Sequence, residues 1–157
     1  MPIRFVILLL FGFILIYFPV YFFSTLQFPS AIGSVQIVGM VIGGIGAVIA
    51  LSCVSNFAVI GRGTPAPFAA PRRLVTRGPY RFVRNPMYIG VGLFFAGAAV
   101  FYQSVPFLAY LCLFFVASHL FIVLYEEPTL RRTFGTEYSR YCGHVGRWWP
   151  HLGRSRG

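Results

Sequence analysis

Four long apolar stretches limit the possible folds of this chain more than any other feature. They cover roughly residues 3–23, 35–60, 87–102 and 105–125, and the third is shorter than the others. A helix needs about 20 apolar residues to cross a bilayer. Only a few residues around Gln103 and Ser104 separate the last two stretches, so we expect a tight antiparallel helical hairpin there. The pattern predicts an all-α, polytopic membrane helix bundle with about four transmembrane helices.

The positions of the charges support this count. Among the 157 residues only three are acidic, and the thirteen basic residues are all arginine, which gives a net charge of +10. One arginine precedes the first stretch, six lie between the second and third, and six follow the fourth. With four spans, every arginine lies on one side of the membrane, and the positive-inside rule makes that side cytosolic. We expect both termini in the cytosol, in a bacterial inner membrane or the endoplasmic reticulum, with lipid headgroups rather than nucleic acid as partners.

The first 60 residues are predicted to form an N-terminal transmembrane hairpin. The first apolar stretch is too long for the core of a cleaved signal peptide, so we interpret it as a retained anchor. The second stretch carries small residues at spacings that permit close helix contact, within the chain or in a homodimer. These small residues are Gly39, Gly43, Gly46, Ala47 and Ala50.

A cytosolic connector rich in proline and arginine is predicted at residues 61–86. Its five prolines exclude a long helix. Its apolar side chains are expected to pack on the cytosolic end of the bundle. These side chains are Phe68, Leu74, Val75, Tyr80 and Phe82.

The remaining residues, 87–157, combine the second hairpin with a polar C-terminal segment, and we expect the whole chain to form one structural domain. Pro128 suits the first turn of a new helix, with Glu126 and Glu127 at its positive end. Glu127 stands four residues before Arg131, which is the spacing of a helical ion pair. Apolar residues recur at helical spacing, so we predict an amphipathic helix along the cytosolic face. They are Leu130, Phe134, Tyr138 and Tyr141.

Polar groups in or beside a bilayer are costly, so they mark the candidate functional residues. They form four clusters along the chain: Arg81, Arg84, Asn85 and Tyr88 at the third span, His119 within the fourth, Glu126 and Glu127 at its end, and Tyr138, Tyr141 and Arg147 beyond it. Because the last two spans form a hairpin, we expect the first, third and fourth clusters to converge on one cytosolic pocket. His119 and Glu126 lie two helical turns apart, on nearly one face. His119 is either a catalytic group or a buried neutral imidazole bonded to a neighbouring helix.

Other patterns indicate packing rather than chemistry. Cys53, Cys112 and Cys142 are widely spaced, which favours neither a metal site nor a disulfide framework. The "GGIG" at residues 43–46 lacks the strand and the downstream acid of a dinucleotide-binding fold.

Two motifs resemble known families. "RNPMYIG" at residues 84–90, followed by "LYEEPTL" at 124–130, resembles the phospholipid N-methyltransferases, in which an NPMY element and a glutamate pair help bind S-adenosylmethionine. "FGTEYSRYCGHVGRWWP" at residues 134–150 resembles the related isoprenylcysteine carboxyl methyltransferases, whose pattern is FGxxYxxYxxxVxRW with a proline close by. The resemblance covers roughly residues 62–150.

The resemblance implies a membrane methyltransferase that uses S-adenosylmethionine and acts on a lipid-like acceptor, either a phospholipid amine or an isoprenylcysteine-type carboxylate. It implies the following cofactor contacts: Asn85, Tyr88, Gly90, Gly92, Glu126, Glu127, Tyr138, Tyr141 and Arg147. Arg84, His119 and Glu126 are the predicted catalytic residues. An amine acceptor must first lose a proton, to Glu126 or His119, whereas a carboxylate needs no base.

Two other functions remain open at this stage. One is a membrane sterol-type reductase that uses a nicotinamide cofactor, since some of these enzymes share the architecture of the C-terminal half. The other is a non-enzymatic lipid-binding protein whose arginines grip anionic headgroups.

Overall fold

The computed structural model describes the backbone of residues 2–61 and 73–150 and the side chains of residues 6–59 and 73–150. These parts of the chain contain the helices α1 (Pro2–Thr25), α2 (Ser34–Asn56), α3 (Pro86–Phe101), α4 (Val105–Phe121) and α5 (Glu127–His144). A π-helical turn, Phe57–Gly61, extends α2, and a 3₁₀ turn, Gly78–Arg81, precedes α3. Within the described residues, the one β pairing is an isolated bridge between Val83 and Gly146. The predicted all-α class is confirmed.

The predicted apolar stretches form helices close to the expected bounds. Val6–Thr25, Ser34–Val59 and the helix that begins at Val105 are long and apolar enough to cross a membrane, while Pro86–Tyr102 is apolar but shorter. The turn between α3 and α4 contains Gln103 at φ 49°. Ser104 then caps α4, because its hydroxyl accepts a hydrogen bond from the amide of Phe107 at 3.3 Å. The predicted tight hairpin is therefore present.

Glycines bring α2 and α3 into backbone contact. A Cβ atom on Gly39 would lie 2.6 Å from the amide nitrogen of Phe101, and one on Gly90 would lie 2.7 Å from that of Ala50. Gly97 faces the backbone of Gly43 even more closely. The small-residue face of α2 is thus used within the chain, because only hydrogen atoms fit between the two backbones.

Aromatic side chains hold α1 against α4. The hydroxyl of Tyr110 on α4 donates to the carbonyl of Ile14 on α1 at 3.3 Å, and the rings of Phe11 and Phe121 stack at 4.3 Å. The two helices of the predicted N-terminal hairpin therefore make their main contacts elsewhere, α1 with α4 and α2 with α3.

The described part of the connector packs on the end of α2, as predicted for two of its side chains. Val75 and Tyr80 are buried against Cys53, and Leu74 is half-buried. The prediction was wrong for Phe82, which is 53% exposed. The neighbouring Tyr80 and Val83 point inward, which leaves Phe82 outside, under the guanidinium of Arg81 at 4.4 Å. Phe68 lies outside the described residues, as does much of the predicted connector.

Pro128 lies in the first turn of α5, as predicted, but α5 is not separated from α4 by a break in the helix. A π-helical turn, Ile122–Glu126, carries α4 directly into α5. Pro128 gives a physical reason, because a proline ring collides with the carbonyl four residues earlier and a wider turn relieves that contact. Glu126 and Glu127 therefore do not lie at a free helix N-terminus.

The second half of α5 changes direction at Gly135, whose φ is 52°. The predicted amphipathic face is present, since Tyr138 is buried while Leu130, Phe134 and Tyr141 are partly buried. After α5, residues 145–150 return toward the start of α3. The amide of Arg84 donates to the carbonyl of Gly146 at 2.8 Å and fixes this C-terminal segment in place.

Candidate functional site

Two arginines form salt bridges with a single buried carboxylate where α4, α3 and the C-terminal segment meet. Arg147 donates from Nε to Glu127 Oε1 at 2.7 Å and from Nη2 to Oε2 at 3.0 Å. Arg84 Nη1 lies 3.2 Å from the same Oε1. We call Arg84, Glu127 and Arg147 the arginine clamp. Glu127 is only 8% exposed, and a buried carboxylate needs such charged partners.

The clamp departs from the ion pair that helical spacing predicted. Glu127 turns to Arg84 and Arg147, and Arg131 instead lies over the ring of Tyr138 at 5.9 Å. The hydrogen bonds to Glu127 raise the pKa of the Arg147 guanidinium above its ordinary value. Both arginines are therefore fixed cations whose positions depend on one carboxylate.

Backbone contacts place the clamp. Asn85 is buried, and its side-chain amide donates to the carbonyl of Arg147 at 3.2 Å. Together with the bond from the Arg84 amide to Gly146, this contact holds the two arginine backbones side by side. Asn85 therefore lies beside the clamp, and its side-chain hydrogen bond is with the C-terminal segment.

Arg84 has further contacts with α5. Its Nη1 lies 2.8 Å from Cys142 Sγ and 3.5 Å from the hydroxyl of Tyr138. Its Nε atom is buried without a hydrogen-bond partner among the described residues. Burying an N–H group without an acceptor costs free energy. A ligand that supplies an acceptor atom would therefore bind favourably to this N–H. Sequence reasoning missed Cys142, although it follows Tyr138 by four residues on the same helix face.

A second pair lies beside the clamp. Tyr88 is 8% exposed, and its hydroxyl donates to Glu126 Oε2 at 2.9 Å. The edge of the Tyr88 ring meets Phe11 at 6.1 Å, and Phe11 stacks on Phe121. We call this the Tyr88–Glu126 pair. Within the described side chains, no arginine forms a salt bridge with Glu126.

Two predicted cofactor contacts have packing roles. Gly90 faces the α2 backbone, and Gly92 leaves room for the ring of Phe115 on α4. A side chain at Gly90 would collide with the α2 backbone, and one at Gly92 would displace the Phe115 ring. Tyr141 is also directed elsewhere, since its hydroxyl donates to the carbonyl of Tyr80 at 2.6 Å and ties α5 to the connector.

His119 lies outside the clamp and the pair. It is exposed, and its Nδ1 accepts a hydrogen bond from Trp148 Nε1 at 3.2 Å. It is therefore not the buried imidazole that one interpretation of the sequence expected. The π-helical turn at 122–126 also changes the angular spacing between His119 and Glu126, so counting two regular turns was misleading.

The arrangement combines two fixed cations, two carboxylates, two phenols and an N–H donor that has no partner among the described residues, all at one end of the bundle. The three clusters predicted to converge do so, through Arg84, Asn85 and Tyr88, the two glutamates, and Tyr138 with Arg147. Such a site can hold a zwitterionic ligand and accept a proton from a neighbouring group.

The fold and the site define an all-helical membrane protein with an acid–arginine cluster where α4 passes into α5. The chain belongs to the phospholipid methyltransferase family, whose family model matches residues 34–137. It is therefore a membrane methyltransferase, and the resemblance inferred from its motifs is confirmed. The matched range includes Arg84, Tyr88 and both glutamates of the site, and leaves α1 and Arg147 outside. Searches among curated proteins and among solved structures returned no match.

Proposed function

We propose that this protein transfers a methyl group from S-adenosylmethionine to the amine of a phospholipid, at the arginine clamp and the adjoining Tyr88–Glu126 pair. The observation that carries this choice of acceptor is the difference between the two glutamates. Glu127 is neutralised by two arginines, whereas Glu126 is bonded to the neutral phenol of Tyr88. A carboxylate in that position attracts an ammonium group.

A carboxylate acceptor suits the site less well. It would need a guanidinium donor of its own, but both arginines are bound to Glu127, and this proposal assigns the remaining Nε–H of Arg84 to the carboxylate of the methyl donor. It would also meet the negative charge of Glu126. The charges therefore favour a phospholipid amine over an isoprenylcysteine-type carboxylate.

The residues of the clamp suit the amino-acid end of S-adenosylmethionine. The unpartnered Nε–H of Arg84 supplies a donor for the carboxylate of that ligand. Tyr138, which contacts Arg84, adds a hydroxyl that both donates and accepts. The methyl donor carries a positively charged sulfonium group, from which a methyl group is readily displaced. The carboxylate of the Tyr88–Glu126 pair attracts that positive charge.

The protein's own residues have distinct roles in this proposal. The clamp holds the donor in one orientation, and such alignment supplies much of the acceleration in a displacement reaction. Glu126 binds the acceptor ammonium and removes one proton, because an amine nitrogen attacks only through a free lone pair. The amine nitrogen would then form a bond to the methyl carbon as the carbon–sulfur bond of the donor breaks and its electron pair stays on sulfur, while the proton taken from the amine remains on Glu126 until it reaches solvent. Tyr88 keeps the carboxylate in position throughout.

The location of the site also belongs to the proposal. Residues 78–90 carry arginines and prolines where the connector enters α3, and the positive-inside rule puts this end of the bundle in the cytosol. There a lipid acceptor meets a water-soluble donor. The connector supplies Arg84, the second hairpin supplies Tyr88 and the two glutamates, and the C-terminal segment supplies Arg147, so we expect these parts to act as one domain.

The first experiment measures binding of S-adenosylhomocysteine to the purified protein in nanodiscs by calorimetry. Wild type is expected to bind saturably. Arg84→Lys keeps a cation near Glu127 but removes the Nε–H group, so we expect about tenfold weaker binding. Glu137→Gln removes the third acid of the chain, an exposed residue on α5, and serves as the matched control with unchanged binding.

The second experiment follows methyl transfer from labelled donor to phosphatidylethanolamine and, separately, to a prenylcysteine. Label in the phospholipid alone supports the proposal, and label in the prenylcysteine alone contradicts the choice of acceptor. If the folded wild type does not bind S-adenosylhomocysteine, the proposal that the protein uses S-adenosylmethionine is contradicted. Stabilisation by a nicotinamide cofactor instead would favour the reductase, and binding of lipid alone would favour a non-enzymatic protein.

A further inference from the structure

An apolar cleft opens on the outer surface of the bundle beside the site. Its volume is about 580 Å³, within the range of about 300–1,000 Å³ that small-molecule sites occupy. The lining residues come from α3, α4 and the C-terminal segment: Ile89, Phe115, Val116, His119, Leu120, Trp148 and Trp149. The cleft is thus a hydrocarbon-lined space with a single hydrogen-bonded polar pair in its wall.

That polar pair fixes one wall of the cleft. The hydrogen bond from Trp148 Nε1 to His119 Nδ1 holds the indole, and the edge of the indole meets the ring of Phe115 at 6.2 Å. The bond satisfies the indole N–H and one ring nitrogen of His119, which favours a histidine on an otherwise apolar surface of α4. It also orients the imidazole toward the cleft wall formed by Trp148.

Two residues of the cleft are direct chain neighbours of residues in the proposed methyl-transfer site. Ile89 in the cleft follows Tyr88 of the Tyr88–Glu126 pair, and Trp148 in the cleft follows Arg147 of the arginine clamp. The side chains of Phe115 and Trp148 in the cleft also pack against the aromatic cluster that contains Tyr88. This continuity distinguishes the cleft from the remaining apolar surface of the bundle.

We infer that the cleft holds one hydrocarbon chain of the acceptor lipid, and that the His119–Trp148 pair limits which chains fit. This inference rests on the proposed function and adds a chain-binding subsite to it. The occupant is a chain of the same molecule whose head reaches Glu126, so chain length contributes to the Michaelis constant of the acceptor. His119 is then a specificity-determining residue and not the base.

Kinetics with acceptors of two chain lengths test the inference. Trp148→Ala removes the wall, and we expect the KM for a long-chain phosphatidylethanolamine to rise about tenfold. The KM for the dihexanoyl form and the affinity for S-adenosylhomocysteine should not change. Trp148→Phe keeps a ring but loses the bond to His119, and we expect a smaller rise. Leu113→Ala, at an exposed α4 position outside the cleft, is the matched control.

Equal effects on both chain lengths, or none on either, would overturn the inference while leaving the proposed function intact. If wild type methylates neither phospholipid, the proposed function fails, and binding then tests the cleft separately. The chain has two tryptophans, so Trp149→Phe leaves Trp148 as the single fluorophore. Phosphatidylethanolamine brominated on one chain should quench it saturably, with reversal by unlabelled long-chain lipid but not by the dihexanoyl form. Quenching that rises linearly without saturation would mean contact with bulk lipid only and would contradict the inference.

Discussion

The arginine clamp and the Tyr88–Glu126 pair contain adjacent glutamates with opposite surroundings. Glu127 receives three charged contacts, from Arg147 Nε, Arg147 Nη2 and Arg84 Nη1. Glu126 receives one hydrogen bond from a neutral phenol. The clamp carries one net positive charge, and the pair carries one net negative charge when Glu126 is ionised. The site therefore offers a cationic half and an anionic half within neighbouring residues.

The difference arises from helix geometry. Consecutive residues on a helix point in directions about 100° apart, so Glu126 and Glu127 cannot share partners. Glu126 ends the π-helical turn and faces α3, while Glu127 begins α5 and faces the C-terminal segment. A carboxylate that is fully paired can organise a site but cannot easily take up a proton. Glu126, which has no arginine partner among the described side chains, remains available for proton transfer.

The largest effect on stability is expected from Glu127→Gln, which removes the one negative charge of the clamp and leaves its two arginines. Arg84 is then left mostly buried without a counterion, and breaking a buried pair costs about 3–5 kcal/mol. We expect the lower end of that range, since the side chain of Arg147 is 32% exposed. Thermal and denaturant unfolding in detergent would measure the free energy of unfolding. Glu137→Gln is the control and should change it by less than about 0.5 kcal/mol. Equal stability of the two variants would mean that the clamp is not a structural centre.

Glu126→Gln should separate chemistry from folding. The amide oxygen still accepts from the Tyr88 hydroxyl, so the free energy of unfolding and the affinity for S-adenosylhomocysteine should stay near wild type. Loss of the base should lower kcat for methyl transfer about 100-fold or more. If Glu126→Gln lost stability and activity together, as we expect for Glu127→Gln, the functional distinction between the two glutamates would be removed.

Much of this arrangement follows from the sequence. Apolar length and arginine placement predicted the helices, and the hairpin of α3 and α4 predicted that Arg84, Tyr88 and the glutamates would converge. The spacing of Tyr138 and Tyr141 also predicted the inward face of α5. These inferences succeed because they depend on periodicity and on chain order, which the sequence states directly.

The partners of individual side chains could not be predicted in the same way. Helical spacing pointed Glu127 to Arg131, but the returning C-terminal segment brings Arg147 to it from 20 residues away. Likewise, Trp148 reaches His119 only because the chain folds back along α3 and α4. A local pattern carries no information on where a segment returns, so these contacts depend on tertiary structure.

Tyr88→Phe should have a smaller effect than either glutamate variant. The phenol donates one hydrogen bond to Glu126, and losing such a bond to a charged group costs about 1.5–3 kcal/mol. We expect kcat to fall about tenfold while KM for the methyl donor stays constant, because the clamp is not touched. Initial rates over a range of donor concentrations would show this. A rise in donor KM with unchanged kcat would instead place Tyr88 in donor binding.

The smallest predicted effect concerns α1, which lies outside the range matched by the family. Phe11 is 4% exposed, stacks on Phe121 and supports the ring of Tyr88, whereas Phe13 is 54% exposed on the outer surface of α1. Phe11→Leu loses aromatic contacts worth about 0.5–1.5 kcal/mol and loosens Tyr88 above Glu126. We therefore expect kcat to fall about threefold with unchanged binding of S-adenosylhomocysteine, and Phe13→Leu to match wild type. Because Phe11→Leu acts through Tyr88, it should not lower kcat further in a protein that already carries Tyr88→Phe. If the losses in kcat were fully additive in the double variant, α1 would support the site by another route.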